Sequence, residues 1–135
     1  GKAYTSARIV SRKKGDWRYG RIEVRARLPY GRGTWPAIWM LSTDWKYGGW
    51  PASGEIDIME HVGHDPGVIH GTIHTEKYNH VKQTQLEGKI TIADCQETYH
   101  IYAVEWTKDK LDFFVDDQKY HTVNRNPADD FTGWP

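Results

Sequence analysis

A strict alternation of apolar and polar residues is the feature that most constrains the fold of this chain. In YGRIEVRARLP, residues 19–29, apolar side chains occupy every second position from Ile22 to Leu28, and arginine or glutamate lies between them. A period of two is typical of a β-strand that buries one face and exposes the other to water, and Pro29 ends the pattern. The segment therefore predicts a half-buried strand.

Similar short segments recur along the chain. They are GTWPAIWML, VIHGTIHT, YHIYAVEWT, KLDFFVD and QKYHTV, and turn-forming residues separate them. No period of 3.6 residues persists for three helical turns, so the sequence gives no reason to expect a long helix. We therefore expect an all-β fold in one domain, either an antiparallel sandwich or a barrel.

Three carboxylates lie within six positions of another predicted strand, in GEIDIMEHVG, residues 54–63. Side chains alternate between the two faces of a strand. Glu55 and Asp57 should therefore lie on one face, while Ile56 and Ile58 lie on the other and enter the core. This strand is predicted to combine an apolar face with an acidic one.

Glu60 has the wrong parity for this arrangement. A regular strand would place Glu60 on the apolar face, where an unpaired charge is strongly unfavourable. One extra residue near Met59, forming a β-bulge, would return Glu60 to the face of Glu55 and Asp57. We therefore predict a bulge at Met59 and three acids on one face.

Clustered carboxylates repel one another, which raises at least one pKa and lets one acid stay ionised while another keeps its proton. A retaining glycosidase uses such a pair: one carboxylate attacks the anomeric carbon, the other protonates the leaving oxygen, and the two lie about 5–5.5 Å apart. A solvated strand face with unrelated acidic residues is the simpler alternative for an E-x-D-x-x-E pattern. The residues around the motif favour the glycosidase.

Aromatic residues flank the acidic strand. The chain has seven Trp and eight Tyr but three Phe, so most of its rings also carry a polar group. Trp35, Trp39 and Trp50 precede the strand, and His70 and His74 follow it. Flat rings suit the apolar faces of pyranose sugars, and an imidazole can hydrogen-bond a carboxylate or a sugar hydroxyl. We therefore expect a sugar-binding cleft beside the acids.

A metal site is a second interpretation, because His61, His64, His70 and His74 lie close to the acids in sequence and both residue types are competent ligands. However, His61 and its neighbour Glu60 should point to opposite faces, which disfavours a catalytic metal. A non-catalytic carbohydrate-binding module is a third interpretation, but such a module has no use for three clustered acids. Basic and acidic residues number 18 each, which gives no reason to expect nucleic acid or a membrane surface as a partner.

The chain closely resembles the laminarinase-like members of glycoside hydrolase family 16 in WPASGEIDIMEHVG, GRGTWPAIWML and HGTIHT, and also in AYTSARIVSR, YGRIEVRARLP and YHIYAVEWT. The resemblance implies an antiparallel β-jelly-roll sandwich of the concanavalin A-like type, with a sugar cleft on its concave face. It also implies endo-hydrolysis of β-1,3-glucan with retention of configuration. The extra residue at Met59 matches the laminarinase-like branch, whereas other branches use E-x-D-x-E.

The resemblance implies roles for individual residues. Glu55 matches the nucleophile, Glu60 the general acid/base, and Asp57 the residue that hydrogen-bonds and tunes the nucleophile. The resemblance further implies substrate contacts by Trp50, Trp35, Trp39, His74, Arg32 and Asn79. The implied chemistry requires no metal or other cofactor.

Sandwiches of this size class commonly contain about 200–250 residues, whereas this chain has 135. We therefore expect residues 1–135 to be the central portion of a single glycoside hydrolase catalytic domain, which a complementary chain segment or a second copy would complete. The resemblance also implies that any structural calcium ion would have its ligands mostly outside this chain. We expect a secreted or extracellular protein, although GKAYTSARIV lacks the apolar core of a signal peptide.

Related substrates stay open at the level of sequence. They are mixed-linkage β-1,3-1,4-glucan, agarose and carrageenan. A heavily sulfated polysaccharide would favour a basic cleft, and the formal net charge of zero argues mildly against one.

Overall fold

The alternating segments form eight β-strands in the computed structural model, which describes residues 1–135. The strands are β1 (Gly20–Ala26), β2 (Ala37–Leu41), β3 (Glu55–Glu60), β4 (Val68–His74), β5 (Leu86–Thr91), β6 (His100–Trp106), β7 (Lys110–Val115) and β8 (Gln118–Asn124). The structure contains no helix with the length and apolar character needed to cross a membrane.

The strands form two sheets of four strands each. The first sheet has the order β1-β6-β7-β8, and the second has the order β2-β3-β4-β5. All neighbouring strands are antiparallel. The sheets lie face to face, with β3 near β6 and β5 near β8. The prediction of an all-β antiparallel sandwich is confirmed.

The core lies between the sheets. Ile56 and Ile58 of β3 are buried, as their parity predicts, and Ile69 and Ile73 of β4 extend the same layer. The first sheet contributes the facing layer, namely Tyr102, Val104, Leu111, Phe113, Val115 and Val123. Because alternate side chains point away from the core, the second sheet presents its other residues on its outer face. This outer face carries the candidate site.

A β-bulge interrupts β3. Asp57 pairs with Thr72 and Glu60 pairs with His70, so three steps along β3 match two steps along β4. The register between β2 and β3 shifts at the same place. The consecutive side chains of Ile58 and Met59 are both 1% exposed. The predicted bulge is therefore confirmed: both apolar residues enter the core, and Glu60 returns to the outer face.

A glycine permits the close approach of the two sheets at β4. Gly71 lies on the core face, and a Cβ atom built on it would lie 2.8 Å from Cδ1 of Phe113. Protein interiors are close-packed, so a methyl group here would displace the aromatic ring or the strand. The glycine thus sets the position of β4, whose outward residues include Thr72 and His74.

Two loops border the outer face of the second sheet, residues 42–54 and residues 75–85. The C-terminal segment supports the first loop. The ring of Phe131 stacks on that of Tyr47 with centroids 4.5 Å apart, and Pro135 lies against Gly54. The C-terminal segment therefore contacts the loop that leads into β3 at two points.

Replacing Gly71 by alanine should destabilise the protein by about 1–3 kcal/mol, because the added methyl group overpacks the contact with Phe113. Urea unfolding followed by circular dichroism would show a lower midpoint with an unchanged slope. Gly49→Ala is the matched control, since a Cβ atom at Gly49 meets no atom within 4 Å. Equal midpoints for the two variants would contradict this packing.

Candidate active site

A cleft of about 400 Å³ lies on the outer face of the second sheet. Its ten lining residues come from β3, β4, β5 and the bordering segments: Trp35, Trp50, Glu55, Asp57, Glu60, Thr72, His74, His80, Gln85 and Glu87. Four of them are acidic, and none is lysine or arginine. The cleft is therefore suited to an uncharged, hydroxyl-rich ligand more than to an anionic one.

The three acids of β3 all line this cleft, which is the arrangement that the sequence predicts. Glu55 and Asp57 reach the outer face by simple alternation, and Glu60 reaches it through the bulge. β4 lies directly beside them, with His74 opposite Glu55 and Thr72 opposite Asp57. Backbone geometry alone therefore assembles the acidic cluster.

Each glutamate accepts a hydrogen bond from a tryptophan. The indole Nε1–H of Trp50 donates to Oε2 of Glu55. On the other side, Nε1–H of Trp35 donates to Oε1 of Glu60 at 2.9 Å. Sequence reasoning assigned these tryptophans as flat sugar platforms and did not identify their N–H groups as partners of the acids. No local pattern reveals such bonds, because they join a loop to a strand.

Asp57 and His74 form a buried ion pair. Asp57 is 3% exposed and His74 is 7% exposed, and Nε2 of His74 lies 3.3 Å from Oδ2 of Asp57. Burial lowers the pKa of His74, but the hydrogen bond and charge of Asp57, with the charges of the two glutamates, more than offset this effect and raise it overall. The imidazole is thus biased toward its positive form.

The carboxylates beside His74 are biased toward protonation. Burial is the main cause that raises the pKa of Glu55, and the negative charge of Asp57 adds to it. Burial also raises the pKa of Asp57, against the hydrogen bond from His74. The N–H of Trp50 and the charge of His74 both favour ionised Glu55. The pKa values of Glu55 and Asp57 thus stay raised overall, and the donors Trp50 and His74 limit the rise without reversing it.

Trp39 and Arg32, two other predicted binding residues, do not line the cleft. Trp39 pairs with Asp57 across β2 and β3, but the guanidinium of Arg8 lies 4.5 Å from its ring centroid, and Trp39 is not among the lining residues. Arg32 is exposed in the turn before β2 and also lies outside the lining set. Contacts of Trp39 and Arg32 with a ligand stay predictions.

The expectation of a sugar contact by Asn79 is wrong. Asn79 is 1% exposed, and its Nδ2–H₂ group donates to the backbone oxygens of Thr75 and Glu76. Its Oδ1 accepts the backbone N–H of Lys82. Both polar atoms of its side chain therefore bond the backbone of the 75–85 loop, and Asn79 is not among the residues that line the cleft. A polar residue in a turn motif looks the same in sequence whether it binds a ligand or its own backbone.

Sequence reasoning missed four lining residues: Thr72, His80, Gln85 and Glu87. Thr72 shares the parity of His70 and His74, so the alternation in VIHGTIHT was a usable signal. His80 and Gln85 lie on the loop that follows β4, where no periodicity exists to place a side chain, and Glu87 lies on β5, which is not among the strands that the sequence predicts. Glu87 also bonds Nδ1 of His70, at 2.6 Å.

The four histidines that suggested a metal site in the sequence lie in different places in the structure. One ligand atom each from Glu55, Asp57 and His74 lies within 4.8 Å of the others, and these are the residues that could hold a metal ion. His61 is fully buried, and His64 is exposed outside the cleft. The four histidines that are close in sequence therefore do not converge on one site.

The chain is similar to known proteins in both sequence and structure. The model of the family described as Glycosyl hydrolases family 16 matches residues 2–135. A β-glucanase from Rhodothermus marinus is 52% identical over 100% of this chain and 49% of its own length. The solved laminarinase structure from that organism has a TM-score of 0.88 and 50% identity, covering 91% of this chain and 51% of that one. The chain thus spans about half the length of these relatives.

Two further matches carry different descriptions. A β-1,3-glucan-binding protein from Penaeus monodon is 43% identical over 89% of this chain and 35% of its own length. The structure of a mutant of SCLam, a non-specific endo-β-1,3(4)-glucanase, has a TM-score of 0.87 and 46% identity, covering 91% of this chain and 47% of that one. It holds 1,3-β-D-cellobiosyl-glucose at its active site. The structural matches confirm the β-jelly-roll prediction.

His74→Gln should raise the apparent pKa of the pair formed by Glu55 and Asp57, because a neutral amide no longer stabilises their charges. Carboxyl ¹³C NMR titration would show the pair ionising at higher pH than in the wild type. His64→Gln is the control, since His64 is exposed and lies outside the cleft. An unchanged titration in His74→Gln would contradict the assigned role of the imidazole.

Proposed function

Because the chain belongs to glycosyl hydrolase family 16, we propose that it carries the catalytic centre of a retaining endo-β-1,3-glucanase. Residues 1–135 would form the central portion of a single catalytic domain. The observation that carries the proposal is the β3 bulge, which brings Glu55, Asp57 and Glu60 to one cleft, with an indole N–H bonded to each glutamate. A non-catalytic surface has no need for this arrangement of buried and repelling acids.

In the first step, the Glu55 oxygen that does not accept the Trp50 N–H attacks the anomeric carbon. A bond forms between this oxygen and the carbon, the glycosidic bond breaks, and Glu60 transfers its proton to the leaving oxygen. The charge of His74 and the N–H of Trp50 favour the ionised form of Glu55 that attacks. Glu60 becomes a carboxylate, which the N–H of Trp35 stabilises.

In the second step, Glu60 takes a proton from a water molecule, and the water oxygen attacks the anomeric carbon. The bond to Glu55 breaks, Glu55 leaves as a carboxylate, and the sugar regains its starting configuration. Asp57 stays paired with His74, and its negative charge tunes the pKa of Glu55. The double displacement uses two carboxylates and water, so we propose no cofactor for it; a structural calcium ion with ligands mostly outside residues 1–135 is a separate proposal.

The cleft also supports a proposal for the substrate class. Trp35 is 69% exposed and Trp50 is 36% exposed, so each ring has a free face for a glucose unit. The absence of lysine and arginine from the lining favours neutral β-1,3-glucan or mixed-linkage glucan over sulfated carrageenan. Agarose is uncharged, and only the activity test separates it from the glucans.

We propose a secreted location, since a polymeric glucan is reached outside the cell. Neither nucleic acid nor a membrane is proposed as a partner. The edge strands of the two sheets are β1, β8, β2 and β5. Their unpaired backbone groups support pairing with a complementary chain segment or a second copy of the chain.

Glucan binding without hydrolysis is the second candidate function. It is favoured by the relative from Penaeus monodon, which is described as a β-1,3-glucan-binding protein. The acids of β3 weigh against it, and the two candidates differ in whether new reducing ends appear.

Wild-type protein should release reducing ends from laminarin, and Glu55→Gln should lose this activity while still binding laminarin, because the amide cannot attack the anomeric carbon. Reducing-end assays on laminarin, lichenan and agarose, with affinity electrophoresis for binding, provide the measurement. Products from lichenan or agarose alone would redirect the substrate assignment. Binding by both proteins with no products from any glycan would support the binding function instead.

Glu60→Ala should lower the hydrolysis rate by about 10²–10⁴-fold, because general acid/base assistance is lost. On an aryl β-laminarioligoside, whose good leaving group departs without a general acid, azide also needs no general base in the second step, so it should restore turnover and give a β-glycosyl azide, since two inversions retain configuration. Product NMR distinguishes the anomers. An α-azide product would reverse the assigned roles of Glu55 and Glu60.

A further inference from the structure

The 75–85 loop has a side chain in the cleft that the proposed mechanism does not use. Asn79 locks this loop through its bonds to Thr75, Glu76 and Lys82. The backbone N–H of Asn79 also donates to Oγ1 of Thr84 at 3.2 Å. The next residue, His80, is therefore presented from a well-braced loop and lines the cleft.

The imidazole of His80 lies between two other rings of the site. Its centroid is 4.8 Å from the Trp50 ring with an interplanar angle of 31°, and 5.2 Å from His74 with an angle of 84°. Trp50 and His74 are themselves 5.9 Å apart. His80 thus packs against the ring of Trp50 and lies nearly perpendicular to the ring of His74. Trp50 bonds Glu55, and His74 pairs with Asp57.

We propose that His80 is a positioning residue, which holds the Trp50 indole so that its N–H points at Glu55. The indole is attached through a loop and is 36% exposed, so the bond to Glu55 does not by itself fix the ring plane. A flat ring against one face restricts the indole to one orientation and leaves the other face for a sugar. The buried Asn79 explains how an exposed histidine keeps a fixed position.

Only the expected effect of His80 on the rate of hydrolysis rests on the proposed function. The orientation of Trp50 can be measured without a substrate, so a failure of the hydrolysis proposal and a failure of the His80 proposal are distinguishable.

The first experiment measures the indole N–H of Trp50 by ¹H–¹⁵N NMR, with the peak assigned from its loss in Trp50→Phe. In His80→Ala the peak should move toward the position of an unbonded indole, because the ring loses its support. In His80→Phe, which keeps a flat ring, the peak should stay near its wild-type position. His64→Ala, at an exposed histidine outside the cleft, is the control.

The second experiment is a double-mutant cycle on laminarin hydrolysis. His80→Ala should lower kcat/KM roughly tenfold when Trp50 is present, since small misplacements of catalytic groups are costly. In a Trp50→Ala background the same change should cost less than about twofold, because there is no indole left to position. An unmoved indole peak in His80→Ala, or equal losses in both backgrounds, would overturn the proposal and indicate a direct sugar contact by His80.

Discussion

The burial of two consecutive apolar side chains, Ile58 and Met59, is the constraint on which the rest of the site depends. A regular strand cannot direct neighbouring residues to the same side, so β3 must contain one extra residue relative to both of its partners. The core gains two well-packed side chains from this irregularity. The outer face gains Glu60, which a regular strand would have directed inward. The same backbone feature thus satisfies the packing of the sandwich and the geometry of a two-carboxylate site.

Burial and repulsion make the acidic cluster unfavourable in its fully ionised form, and the surrounding donors compensate. Each glutamate has one indole N–H, and Asp57 has the imidazole of His74. These groups come from three different parts of the chain, yet all converge on β3. The cleft therefore contains a set of donors arranged before any ligand arrives, which is the condition under which electrostatic stabilisation is most effective in catalysis.

The residues of β3 were predictable from sequence, and residues on loops were not. The parity of Glu55, Asp57, Ile56 and Ile58 follows from the two-residue period of a strand, and the misfit of Glu60 to that period predicts the bulge. Asn79, Arg32 and His80 lie in turns, where the direction of a side chain depends on tertiary contacts with no repeating pattern. Asn79 was therefore misassigned, and its neighbour His80 was overlooked. The indole bonds of Trp35 and Trp50 were hidden for the same reason.

Trp35 and Trp50 each bond a glutamate and also expose a ring face, which restricts how such a site can diversify. One edge of each indole bonds a glutamate, while under the proposed function its exposed face would be available to a sugar. A substitution that tunes affinity at either position therefore also alters reactivity, so the two properties cannot evolve independently there. Changes in polysaccharide preference should accumulate instead on surfaces that do not bond the acids, such as the turn that carries Arg32 and the outer rim of the 42–54 loop. The chemical centre would then stay constant while the rim varies.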